Sequence, residues 1–223
     1  MFYILLLWLL APISIYLGLI TFNSAFITFV LFYGVICVLI PVLDLIIIQR
    51  KAGKAFFQEI GFINFKRVFL PSFIFGVVFF LSIYLFFVLL EKTVLNINQI
   101  QSVFNEWKIN KKYLIPFMLT MIIANSIFEE IYWRGYIYRK LEIKVSTKKC
   151  LILTSLFYAS YHLITTINLF SLLYGLLFTS IIFIVGFFWG YMRKRVNSLY
   201  FPIISHLMAD FGIMLIYFKY FGR

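Results

Sequence analysis

Two glutamates stand side by side at Glu129 and Glu130, with Arg134 four residues on from the second. Tyr158 precedes His162 by four residues, and His206 precedes Asp210 by four. On a helix, residues four apart share a face, so each spacing describes a local pair. Glu130 and Arg134 can form an ion pair within the helix, which lowers the cost of keeping both charged away from water. Asp210 can hold the second ring nitrogen of His206, or both can bind one metal. Glu129 lies about 100° around the helix from Glu130 and has no charged partner on its own helix. It is therefore the candidate for a chemically active carboxylate. A carboxylate in a poorly solvated pocket can act as a general base near neutral pH. A histidine beside it can share the proton or bind the water, and a second histidine can face a developing oxyanion or complete a metal site. Together these residue types point to water activation, the chemistry of hydrolysis.

The elements that carry these residues are apolar. The chain has 223 residues, 64% hydrophobic and 13% charged, with 29 phenylalanines and a mean hydropathy of +1.01. A soluble domain has roughly twice that charged share and about 45–50% apolar residues. An ordinary soluble enzyme and a disordered chain are both excluded, and a polytopic membrane protein remains. A span takes about 20 apolar residues, so the length accommodates six to eight spans and no separate soluble domain. The net charge of +12 fits basic loops that fix topology rather than nucleic-acid binding, because no basic run is long or interleaved with aromatics.

The expected fold is all-α, a bundle of about seven transmembrane helices forming one membrane domain over 1–223. The spans are read as 2–20, 24–48, 68–90, 113–138, 150–167, 170–192 and 199–217, with a charge-free turn at Asn168 and no internal repeat or linker. Phe2 onward is apolar without a basic leader, so the first segment reads as a retained span rather than a cleaved signal peptide. The loops at 49–67, 139–149 and 193–197 hold five, five and three Lys/Arg; the segment 91–112, the turn at 168 and the C-terminal tail hold four, none and two. Thirteen against six favours a cytoplasmic N-terminus. Cys37 and Cys150 lack a CxxC spacing and read as buried thiols.

Ionisable groups within spans are rare and usually functional. Three of only eight acidic residues, Glu129, Glu130 and Asp210, and both histidines fall well inside the spans, and Asp44 lies near a span end. A single buried histidine is most often a satisfied core residue, but that reading weakens when every histidine in the chain lies in the membrane near carboxylates. Spans four, five and seven can bring Glu129, His162 and His206 to one level, with water reaching them from the cytoplasmic side. Asn125, one turn before Glu129, either faces this site or bridges helices. Asp44 is expected at the interface beside Arg50 and Lys51. The many aromatics, Phe32 and Tyr33 among them, are assigned to lipid or helix contacts without a chemical role.

The motifs Glu129-Glu130-Ile131-Tyr132-Trp133-Arg134, Tyr158-Ala159-Ser160-Tyr161-His162 and His206-Leu207-Met208-Ala209-Asp210 together resemble the CPBP family, the CAAX proteases and bacteriocin-processing proteins, also called the abortive-infection family of intramembrane proteases. Tyr158 stands where the family pattern has Phe. The resemblance covers about residues 113–215. It implies an intramembrane endopeptidase acting on a lipidated or membrane-associated peptide or protein, in CAAX-type or bacteriocin-type processing or immunity. By resemblance, Glu129 and His162 activate the water, and Glu130 and Arg134 support them. His206 and Asp210 form the oxyanion side or, in the metalloprotease account, ligate zinc with Glu129 and His162. An ionised Asp210 cannot donate to an oxyanion, which suits it to orienting His206 or binding metal. The compact chain looks like the bacterial type, in the cell membrane, with membrane lipid and a peptide substrate as partners and no nucleic acid. Two other readings stand beside it. A non-catalytic bacteriocin-immunity protein would keep its effect without Glu129, and a proton- or metal-coupled transporter would spread its polar groups along a pathway.

Overall fold

The computed structural model describes residues 2–51, 53–94 and 96–222. Arg223, counted above in the basic tail, and the side chains of Glu91 and Lys92 lie outside the described residues. The described chain is helical, in the order α1 (Phe2–Thr21), α2 (Ala25–Ile48), α3 (Lys54–Ile60), α4 (Phe65–Val94), α5 (Ile97–Glu106), α6 (Lys111–Glu142), α7 (Thr147–Phe170), α8 (Leu172–Val196) and α9 (Tyr200–Phe221). Seven runs are long and apolar enough to cross a bilayer: α1, α2, the run Lys54–Leu90 that holds α3 and most of α4, and α6 to α9. Every expected span is present, and its bounds fall within four residues of the expectation, apart from the added short helix α3. The chain is an integral membrane protein.

Local chemistry explains most boundaries. The turn after α1 ends where Asn23 takes a positive φ and the Ser24 hydroxyl accepts from Ile27 N–H at 3.4 Å, a side-chain cap for an orphan donor. α8 ends in Arg193, Lys194 and Arg195, cations placed at the negative end of the helix dipole, and Asn197 then turns left-handed. The turn expected at Asn168 lies three residues later. Asn168 Nδ2 donates to Ile164 O at 2.7 Å and stays helical, and Ser171 takes the positive φ instead.

Two short helices went unread because their sequences mix polar and apolar residues. α3 lies in the first basic loop. α5 lies in the polar segment after α4, with Asn96 as its cap. Phe104 of α5 packs edge-on against Tyr217 and Phe221 of α9 at 5.2 and 5.3 Å. Trp107, just after α5, is buried and accepts from Ala25 N–H at 2.9 Å. Gln99 reaches Asn168 O at 3.4 Å. α5 therefore lies across the end of the bundle where α2 begins and α7 and α9 finish, opposite the basic loops.

Inside lipid there is no hydrophobic drive between helices, so close packing and interhelical hydrogen bonds hold the bundle. α4 lies along α9, with Phe80 stacked on Phe211. α7 and α8 form a hairpin joined by Thr166 Oγ1 to Thr179 Oγ1 at 3.0 Å. α1 is tied to α7 by Trp8 Nε1 donating to Ser160 Oγ at 2.8 Å, and to α6 by Tyr132 O–H donating to Leu7 O at 2.7 Å. The outer helices keep apolar faces exposed, such as Leu70, Ile74, Leu85 and Leu89 of α4, as lipid contact requires. α6, α7 and α9 are left to enclose a polar interior.

Candidate active site

α6 changes its winding around the two glutamates. The stretches Thr120–Asn125 and Ile131–Ile137 are π-helical, with α-helix from Ser126 to Glu130 between them. Such wide turns within helices are frequent at functional sites. Glu129 and Glu130 are buried on this short segment, with Arg134 one turn beyond.

Glu130 is the hub of a buried polar chain. Its Oε1 accepts from Arg134 Nη1 at 2.8 Å and from His206 Nδ1 at 3.0 Å. On the other side of the imidazole, Nε2 lies 3.4 Å from Asp210 Oδ2. Asp210 Oδ2 also accepts from Asn125 Nδ2 at 2.9 Å, and Asn125 Oδ1 accepts from the Tyr33 hydroxyl at 2.6 Å. The chain thus joins α2, α6 and α9. Burying charges is tolerated only when they are paired and hydrogen-bonded, and this chain pairs Arg134, Asp210 and Glu130, the last through Oε1 alone, its buried Oε2 having no partner.

Arg134 is enclosed further. Its Nη2 donates to Gly186 O of α8 at 3.1 Å, and its guanidinium lies 4.1 Å from the Tyr158 ring centre. A Cβ on Gly186 would stand 2.9 Å from the Tyr158 ring and 3.0 Å from Arg134 Nη2, so only glycine lets the arginine approach this carbonyl. Tyr158 therefore supports the site as an aromatic wall and a cation–π partner. His206 is stacked on Trp189 of α8, with ring centres 4.2 Å apart.

Glu129 and His162 differ from the rest. Glu129 is 2% exposed, and its Oε2 has no hydrogen-bond partner. His162 is half-buried, and its Nδ1 lies 2.9 Å from the carbonyl of Tyr158. A carbonyl only accepts, so Nδ1 carries the proton and Nε2 of the neutral ring keeps its lone pair. The Tyr161 ring packs 4.2 Å from that of His162, and its buried hydroxyl has no hydrogen-bond partner. No direct hydrogen bond joins Glu129 to His162 among the described residues.

The expected pairs Glu130–Arg134, Tyr158–His162 and His206–Asp210 are thus all in contact. Two expectations need correction. Asp44 is buried and bonded to Lys140 and Tyr136, not set beside Arg50 and Lys51; Lys51 pairs with Glu59 instead. Tyr33 is not a bland packing residue, since its hydroxyl ends the polar chain. Asn125 faces the site. Trp189 and Tyr161 also belong to it, and nothing in the sequence marked them, because their role comes from packing between helices.

The donor set was tested for zinc. Among the described residues no three His, Cys, Asp or Glu side chains converge as a ligand group. Both nitrogens of His206 face carboxylate oxygens, and Asp210 Oδ2 also accepts a hydrogen bond from Asn125 Nδ2. As placed, Glu129, His162, His206 and Asp210 do not fit a zinc site, and no step below passes through a metal.

Residues 111–212, from the start of α6 to the middle of α9, match the family model described as type II CAAX prenyl endopeptidase Rce1-like. No curated protein and no solved structure matches the chain.

Proposed function

We propose, from the match of residues 111–212 to the CAAX prenyl endopeptidase model, that the chain is a membrane protease of the CPBP family and hydrolyses a peptide bond of a lipidated or membrane-associated peptide with water activated by Glu129 and His162. The observation that carries this reading is the pair of idle valences. Glu129 Oε2 is a buried carboxylate oxygen without a hydrogen-bond partner, and the tautomer of His162 leaves Nε2 a free base. Arg134, His206 and Asp210 are engaged, and Glu130, whose Oε2 is also unpaired, is held through Oε1 by both Arg134 and His206.

Glu129 takes a proton from water as the water attacks the scissile carbonyl, and general-base help of this kind is worth about 10²–10⁴ in rate. His162 holds the water through Nε2 and relays a proton to the leaving amine. The C–N bond then breaks with the water oxygen retained on the carboxyl product. Glu130 and Arg134 position α6 and His206. His206 and Asp210, locked between Glu130 and Asn125, set the field in which the tetrahedral oxyanion develops. Their own hydrogen bonds are already committed, so their contribution is electrostatic rather than a proton transfer. The substrate arrives by lateral diffusion, which accounts for a hydrolytic site enclosed by spans. With the N-terminus in the cytoplasm, the basic loops face the cytoplasm and α5 closes the opposite end, so water enters from the cytoplasmic side.

Cleavage of a membrane-anchored peptide by purified protein tests the reading. The wild type should cleave, and Glu129→Ala and His162→Ala should not. Equal cleavage by all three would contradict the assignment and favour a non-catalytic role. The wild type should also keep full activity after stringent metal removal; loss of activity restored by zinc would overturn the metal-free mechanism.

A further inference from the structure

Away from the site, at the basic end of the bundle, a cleft of about 460 Å³ opens between the start of α4 and the end of α8. Its volume falls within the roughly 300–1,000 Å³ of small-ligand sites. Arg67 and Arg195 line it from opposite helices, with Asn64 and Asn197 beside them and Val68 and Pro71 forming an apolar wall. Both arginines are exposed, and neither makes a side-chain hydrogen bond, ion pair or ring contact among the described residues. The nearby acids are engaged elsewhere. Glu59 pairs with Lys51, Glu142 with Arg139 and Lys194, and Asp44 with Lys140. Among the described residues no acidic side chain pairs with Arg67 or Arg195.

The walls are fixed. Leu199 N–H donates to Gly61 O at 2.8 Å, Ser198 Oγ to Ile63 O at 2.5 Å, and buried Arg193 Nη2 to Ile60 O at 3.3 Å. Arg193 also donates to Asn197 Oδ1 at 3.3 Å. Gly61, at φ +108°, lets the loop pass Arg193, where a Cβ would stand 2.3 Å from Nη2. The loops before α4 and after α8 are therefore stitched together, and the cleft between them is preformed. Phe65, next to Asn64 in the chain, packs edge-on against Tyr200, 5.0 Å between centres, as aromatics do at the membrane–water boundary.

We propose that this cleft binds the phosphodiester headgroup of an anionic phospholipid. Two guanidinium groups in search of a counter-anion match a phosphate, which accepts forked hydrogen bonds from arginine. The apolar wall of Val68 and Pro71 at the end of two spans matches a ligand whose remainder lies in the bilayer. Basic pockets between spans at the ends of helices take acidic lipid headgroups for this reason. A free phosphate offers the same anion but gains nothing from the apolar wall. The cleft and its ligand are independent of the hydrolytic reading.

Dioleoylphosphatidylglycerol, dioleoylphosphatidylcholine, glycerol 3-phosphate and inorganic phosphate are titrated into detergent-purified full-length protein, with bound lipid counted by native mass spectrometry. One phosphatidylglycerol per chain should be retained, and phosphatidylcholine should not. Arg67→Gln/Arg195→Gln should weaken binding by roughly fivefold per arginine, about 30-fold in all. Lys148→Gln/Lys149→Gln, which removes two charges from another basic loop, should stay within about twofold of wild type. The single variants Arg67→Gln and Arg195→Gln carry the test should the double variant unfold. Unchanged retention without the arginines, or equal loss in the lysine variant, would overturn the proposal. So would binding of free phosphate or glycerol 3-phosphate as tight as that of phosphatidylglycerol.

Discussion

Two buried polar clusters in this bundle look alike in composition and differ in what they leave unpaired. The first is around Asp44 at the basic end of α2. Its carboxylate accepts from Lys140 Nζ and Tyr136 O–H, each at 2.5 Å, and from Gln49 Nε2 at 3.0 Å. Tyr136 also meets the Tyr3 hydroxyl at 3.3 Å, and Lys140 lies over both tyrosine rings. The second is the chain from Arg134 through Glu130, His206, Asp210 and Asn125 to Tyr33, with Glu129 and His162 beside it. Both clusters have a carboxylate, a cation and tyrosines. In the first, both Asp44 oxygens and the cation are engaged. In the second, Glu129 Oε2 and Glu130 Oε2 have no partner and His162 keeps a lone pair. An idle buried polar group costs stability, and a carboxylate and an imidazole left idle beside one another are groups able to act on a water. Polar residues in a membrane mark function only when their valences are not all consumed by each other.

The difference can be attacked from its strongest point downward. Glu130→Ala should be the most damaging change, because it strands buried Arg134 and releases His206. Breaking a buried pair costs about 3–5 kcal/mol, read as a large fall in thermal midpoint in detergent together with lost cleavage. A midpoint near wild type would mean that Glu130 is not the hub described here. Asp44→Ala should cost about 1–3 kcal/mol by leaving Lys140 without its counter-charge and Tyr136 with only the Tyr3 hydroxyl, with the rate of peptide cleavage kept in the protein that remains folded. A selective loss of cleavage without loss of midpoint would merge the two clusters into one functional unit. Tyr33→Phe removes one hydroxyl and should cost about 1 kcal/mol, with a small fall in cleavage as Asn125 loses its anchor. An effect as large as that of Glu130→Ala would show that the polar chain is held from α2 rather than from α6.

The spans were legible because apolar runs of about 20 residues are the strongest pattern a sequence can hold. The partners Glu130–Arg134 and His206–Asp210 were legible because a spacing of four on one helix is geometry in itself. What could not be read was whatever two helices make together. Tyr33 sits in the charge-free part of α2 and resembled its neighbour Phe32. Trp189 lies in the charge-free part of α8 and meets His206 only after packing. Asp44 seemed close to Arg50 and Lys51 because those are near in sequence, whereas α6 brings Lys140 to it across 96 positions. α5 hid in a segment of mixed polarity, since ten residues with one apolar face carry little signal beside the spans. The zinc set was a reading of donor types alone; the orientation of the His206 nitrogens toward two carboxylates depends on how α6 and α9 face each other.

The contrast between the clusters rests on Glu129, and Glu129→Gln tests it with the least disturbance. The substitution keeps the shape of the side chain and removes the base from a position where one oxygen has no partner to lose. Cleavage of the membrane-anchored peptide and the thermal midpoint should be measured on the same preparation. Cleavage should fall by about 10²–10⁴ with the midpoint unchanged or slightly raised. Cleavage at the wild-type rate by folded Glu129→Gln protein would contradict the assignment of this carboxylate as the base.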